Sequence, residues 1–129
     1  MTDHVELDDA IYLIEQALPE PVMDIVRDWG LLESALHRPR ATVFGTDAYP
    51  HLDQKAAALL LALARNHPLV DGNKRLAWLA TRFFYVKNGF DLRAGDPVEA
   101  NSFVRAVAVG EYEVDDLAKE LGTRVVRRP

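Results

Sequence analysis

Between residues 67 and 75 the chain reads His67-Pro68-Leu69-Val70-Asp71-Gly72-Asn73-Lys74-Arg75. A histidine able to move a proton, a carboxylate able to hold a divalent metal, a glycine, an amide and two cations fall within nine residues. Apolar helical patterns lie on both sides, so these polar groups occupy a short connection between two buried elements. Asp71, Gly72 and Asn73 stand where the second helix begins, and Asp or Asn is a favoured N-cap. A helix N-terminus offers unpaired N–H groups and a partial positive charge, which suits an anion. Lys74 and Arg75 add full charges beside it, so the set fits a polyphosphate. Taken singly, each residue has an ordinary explanation: a histidine before proline packs or is solvated, Asp-Gly-Asn is turn chemistry, and Lys-Arg in a first turn is often just hydrated.

Two helices position this connection. Leu52–Arg65 carries the stripe Ala56, Leu59, Leu60 and Leu63, and its alanines permit close packing. Pro68 forbids continuation. The following helix places Leu76, Leu79, Ala80, Phe83 and Phe84 at i, i+3, i+4, i+7 and i+8, and ends at Asn88-Gly89. Arg75, Trp78 and Arg82 share another side of it. Core packing is the simplest role for Trp78, and a solvated or salt-bridged one for Arg82.

The remaining chain reads as support. Leu7, Ile11, Ile14 and Leu18 recur at helical spacing until Pro19. Pro21 starts a short helix through Val26, Trp29-Gly30 interrupts, and Leu31–Leu36 makes another turn or two before Arg38-Pro39. Residues 40–50 are β-branched and aromatic around Gly45, a connector or small hairpin and the one place where extended structure is expected. Phe90–Asp96 reads as a loop, Pro97–Val109 as a helix closed by Gly110, and Val114–Leu121 as a last amphipathic helix stopped by Gly122. Thr123–Pro129 reads as a basic, frayed tail. The fold expected is all-α: one domain over residues 1–129, a compact bundle of about six helices with a short β-like flap.

Composition narrows the function. With 129 residues, 49% of them hydrophobic, the chain can build a real core. A formal charge of −5 argues against broad attraction to nucleic acid or anionic membrane. The absence of cysteine excludes disulfides, thiol nucleophiles and Cys-ligated zinc, and fits a reducing cytoplasm. Met1-Thr2-Asp3-His4 lacks a signal-peptide apolar stretch, and the longest apolar run, Ala56–Ala64, is far short of a membrane span.

The stretch from His67 to Arg75 resembles the signature of the Fic/Doc family, H-x-F-x-[DE]-[AG]-N-[GK]-R. Gly30–Leu36 with Arg38-Pro39-Arg40, the Tyr49-Pro50 turn and Lys55–Leu60 resemble its death-on-curing (Doc) branch, so the likeness covers nearly the whole chain. The family transfers a phosphate-containing part of a nucleotide to a protein hydroxyl. The resemblance to the Doc branch implies a toxin that phosphorylates a threonine of elongation factor Tu, arrests translation and is neutralised by a small antitoxin. It further implies ATP and Mg²⁺, with His67 as general base and Asp71 as the metal ligand. Gly72 and Asn73 would be backbone and amide donors to the phosphates, and Lys74 and Arg75 would offset transition-state charge. Residues 43–47 would form a flap that aligns the acceptor segment by strand addition.

Two positions depart from the pattern. Leu69 replaces the usual Phe, at what should be an apolar anchor. Trp78 stands where AMP-transferring members carry a second Arg; the Doc branch also lacks that Arg and is thought to bind ATP reversed. Inhibited members carry an [ST]-x-x-x-E-[GN] helix, whose nearest match here, Thr2–Leu7, fails at its last position and reads as an ordinary helix start. Three readings follow: a Doc-type protein kinase, an AMP-transferring enzyme disfavoured by Trp78, and a non-catalytic regulator that binds an antitoxin.

Overall fold

A computed structural model describes residues 1–93 and 95–129. Among these the chain forms seven helices: α1 (Leu7–Ala17), α2 (Val22–Ile25), α3 (Trp29–His37), α4 (Leu52–Asn66), α5 (Asn73–Lys87), α6 (Pro97–Ala108) and α7 (Val114–Gly122). The all-α expectation holds, with one more helix than the six foreseen. A 3₁₀ turn at Arg38–Arg40 follows α3. No helix of the described residues is long and apolar enough to cross a membrane.

The hub is α4. Buried residues run from Lys55 to Leu61 and continue at Leu63 and Ala64, so nearly every side of the helix is covered. Helices α3, α5, α6 and α7 pack around it. Ala56, Ala57 and Ala64 are fully buried, which lets neighbouring backbones approach closely. From α5, Leu76, Ala77, Ala80, Phe84 and Tyr85 enter the same continuous core, joined by Ile14, Leu32, Leu117 and Leu121. The Tyr85 hydroxyl donates to Asp53 at 2.6 Å; burial first and this carboxylate second hold its pKa far above the ordinary value.

Four short strands form two antiparallel pairs. Strands β1 (Thr42–Val43) and β2 (Thr46–Asp47) make the flap, in register Thr42↔Asp47 and Val43↔Thr46. Phe44 and Gly45 form its turn, with φ of 51° and 80°. Positive φ at both central residues marks the mirror-image turn that matches strand twist. Lys55, only 6% exposed, fastens the flap's base to α4 by donating to the Asp47 carboxylate at 3.4 Å and to the Tyr49 carbonyl.

The second pair corrects two expectations. Strand β3 (Phe90–Leu92) lies where a loop was expected, and β4 (Val125–Arg127) replaces the frayed tail, with Asp91 opposite Val126. Of the expected Phe90–Asp96 loop, Ala94 lies outside the described residues. Trp29-Gly30 does not interrupt a helix but opens α3, because the Asp28 carboxylate caps it by accepting from Leu31 N–H at 3.0 Å. Residues 1–6 are not helical; α1 begins after Glu6, whose N–H donates to Asp9.

Candidate functional site

The connection between α4 and α5 is held from both sides. His67, the C-cap of α4, adopts φ 51° and ψ 56°. The proline after it disfavours a further helical turn, so the helix ends at Asn66, one residue beyond the expected boundary. A left-handed non-glycine residue costs roughly 1–3 kcal/mol and persists only where its surroundings impose it. Here Arg27 supplies the restraint: its Nε donates to the His67 carbonyl at 3.1 Å and its Nη2 donates to the same oxygen. The N–H groups of Arg27 and Asp28 donate to the Pro68 carbonyl at 2.8 and 3.1 Å, and Val70 N–H donates to the Ile25 carbonyl at 2.8 Å. Val26 and Leu69 face each other across this short antiparallel bridge.

Asn73 closes the loop from within. Its Oδ1 accepts from Leu69 N–H at 2.8 Å and its Nδ2 donates to the Leu69 carbonyl at 2.9 Å. The carboxamide therefore braces the loop, leaving one N–H for any ligand. Leu69 is 1% exposed and plugs the core, the anchoring role expected of this position.

Gly72, not Asp71 or Asn73, is the N-cap of α5. Its φ is 86°, a conformation that favours glycine, and a Cβ there would lie 2.8 Å from the tip of the Leu18 side chain, which would have to move aside. No side chain caps α5. Among the described residues no backbone acceptor meets the N–H groups of Asn73, Lys74 and Arg75, whereas Leu76 N–H already bonds to the Gly72 carbonyl. Three consecutive donors at the positive end of a 15-residue helix face outward from the loop.

This mouth opens into a cleft of about 1040 Å³, just above the roughly 300–1,000 Å³ of typical small-molecule pockets. His67, Asp71, Gly72, Asn73, Lys74 and Arg75 all line it, so every expected site residue meets there. Asp71 accepts from Gly72 N–H through one oxygen at 2.9 Å and keeps the other available. Arg75 donates to the Ala17 carbonyl at 3.2 Å, which steers it along the end of α1. Trp78 packs and lines at once: it is half-buried against Phe103 yet forms part of the wall. Arg82 is exposed and lies outside the lining.

Several lining residues were not singled out from sequence. Glu20 enters from the α1–α2 connection, and Pro97, Ala100, Asn101, Val104 and Arg105 form the opposite wall on α6. Their spacing shows only an amphipathic helix. Arg27 gave no local signal either, because its partner is 40 residues away.

No group of three or more His, Asp or Glu side chains stands together as a metal site among the described residues. Asp71 alone fits the way Mg²⁺ is commonly held, by one or two carboxylates with substrate phosphates and water completing its octahedron. The geometry thus combines a histidine, the carboxylates of Asp71 and Glu20, free helix-terminal N–H groups and cations around a cleft that a phosphorylated molecule would fit.

Residues 5–85 match the sequence profile of the Fic/DOC family, well over half of the chain. The protein belongs to that family. Among curated relatives, a protein named Toxin Doc from Mycolicibacterium smegmatis (strain ATCC 700084 / mc(2)155) is 54% identical over 97 residues, which cover 74% of this chain and 75% of the relative.

Proposed function

We propose that the protein is the toxin of a toxin–antitoxin pair and acts as a protein kinase, moving the γ-phosphate of ATP to a Ser or Thr hydroxyl of a translation factor, elongation factor Tu first among them. The likeness to Toxin Doc supports the toxin reading. The observation that carries the chemistry is the convergence of His67, Asp71 and the open N-terminus of α5 in one cleft whose next wall, Trp78, is uncharged.

The steps follow from that arrangement. The His67 ring, for which no hydrogen-bond partner is found among the described residues, takes the proton of the acceptor hydroxyl as its oxygen attacks phosphorus. The bond from the γ-phosphorus to the bridging oxygen breaks, and ADP leaves with that electron pair. The N–H groups of Asn73 to Arg75, with the Lys74 and Arg75 side chains, meet the charge on the phosphoryl oxygens. Asp71 would hold Mg²⁺, which when bound neutralises phosphate charge and fixes the leaving group. His67 then passes its proton to solvent. The free edges of the flap strands suit an acceptor segment added as a further strand.

Phosphates fit the mouth in either direction, since N–H groups and cations do not tell α from γ. Direction is set one turn beyond Arg75, where Trp78 offers no charge to grip outer phosphates. Arg82 is a further turn on, about 6 Å along the axis, and lies outside the lining. Arg105 of α6 favours the second reading, AMP transfer, because it brings a cation into the same cleft. Incubation with elongation factor Tu, Mg²⁺ and ATP labelled separately at α and γ distinguishes them. Label from γ alone is the kinase outcome; label from α overturns it in favour of AMP transfer. Expression of the chain alone should arrest its host, and co-expression with a small partner protein should rescue it; harmless overproduction would count against a toxin.

A further inference from the structure

Beyond the phosphate mouth, the cleft changes character. One turn along α5, the wall becomes Trp78; across from it on α6, Pro97, Ala100 and Val104 lie at i, i+3 and i+7, an apolar stripe. We infer that Trp78 is the platform on which the nucleotide's base stacks, with the α6 stripe closing the slot over it. This rests on reading the cleft as a nucleotide site and adds where the base lies.

Three observations support it. The cleft is larger than a phosphate chain alone needs, and beyond the mouth its lining brings Trp78, Pro97, Ala100 and Val104 together with only Asn101 and Arg105 as donors on α6. An indole half-exposed on a cleft wall offers a π-face, and a base is the part of a nucleotide that such a face holds. The indole is also held by α6 itself: its ring lies 6.1 Å from that of Phe103 at 80°. Phe103 is in turn gripped by the Arg124 guanidinium at 4.4 Å and the Tyr112 ring at 5.7 Å. Little freedom is left to lose on binding, so the platform is pre-organised. Asn101 and Arg105, one turn apart at the rim of the slot, are placed to meet the base edge and the ribose or first phosphate.

Calorimetry of the full chain with Mg²⁺ and either ATP or inorganic tripolyphosphate tests the idea. Wild type should bind ATP more tightly than tripolyphosphate. Trp78→Leu should weaken ATP about tenfold or more while leaving tripolyphosphate unchanged, and Trp78→Phe should restore most of the loss. A Leu variant that binds ATP like wild type, or loses both ligands equally, overturns the platform while leaving the phosphate mouth intact. Wild type binding neither ligand overturns both. Should Trp78→Leu not fold, emission decides: in a Trp29→Phe background, where Trp78 is the remaining tryptophan, ATP should quench fluorescence and tripolyphosphate should not. Equal response to the two ligands would refute stacking.

Discussion

Arg27 and His67 are joined through a single oxygen: two N–H groups of the Arg27 guanidinium converge on the His67 carbonyl. The contact reaches the histidine's backbone and leaves its ring untouched, so Arg27 acts as a positioning residue. Arg27→Met should lower kcat up to about 10²-fold with little change in KM for ATP, the scale of a misplaced reacting group. The pH profile should keep its position, because the His67 ring itself is retained, and Arg27→Lys should recover part of the rate. Undiminished kcat in Arg27→Met would show that the backbone bonds of residues 25–28 suffice.

If His67 is the base, His67→Ala should lower the rate by roughly 10²–10⁴-fold and abolish growth arrest, with melting temperature nearly preserved because the side chain is exposed. Full toxicity of a well-folded variant would exclude it.

Asp71→Ala should weaken Mg²⁺-dependent ATP binding and leave metal-free binding little changed. Titrations with and without Mg²⁺ measure the difference. The same metal dependence in variant and wild type would pass the ligand role to another carboxylate, of which Glu20 is the candidate in the cleft.

Phe44 stands fully exposed at the flap tip with positive φ, a conformation that favours Asn or Gly. Phe44→Asn creates the Asn-Gly pair preferred in this turn, so stability should hold within about 0.5 kcal/mol or rise. KM for the protein acceptor should increase while ATP affinity stays the same. Unchanged acceptor KM would remove the flap tip from target recognition.

His4 supplies a pH dependence. Burial first, then the charges of Arg40 and Lys55, hold its pKa below the ordinary 6.5, with Glu6 and Asp3 opposing. Its Nδ1 is buried without a partner, and its ring lies 6.0 Å from that of Phe84. The unfolded chain takes up a proton here more readily than the folded one. Stability is therefore full above pH 6.5 and falls as pH drops below it, levelling once the folded histidine is itself protonated. His4→Gln should remove that part of the decline in denaturant midpoints; an unaltered decline would assign it to other groups.

The site's location was legible because its polar groups are contiguous: nine residues between two strongly periodic helices mark both the loop and the helix mouth. What Asn73 does was not legible. An amide beside a phosphate site reads as a donor, and only the folded loop shows both its atoms turned to Leu69. Strands β3 and β4 escaped because three residues are too few to display a period, and their partners lie far apart in sequence without a shared turn. The cap at Asp28 was present as Asp-Trp-Gly-Leu, but Gly30 suggested a break where a first turn tolerates it. The α6 wall was hidden for a different reason: that a helix faces a cleft is decided by its neighbours, not by its own residues.

Along residues 25–28 three of the five hydrogen bonds that hold the loop run between backbone groups, and the Arg27 guanidinium makes the other two. Backbone atoms are the same whichever amino acid carries them. The exposed side chains just before it, Met23 and Asp24, make no hydrogen bond to the loop among the described residues, so exchanging them leaves these bonds in place. Surface and loop are thus separable over a few ångströms: Met23 and Asp24 can drift in sequence while the backbone bonds beside them keep the connection from His67 to Arg75 in place.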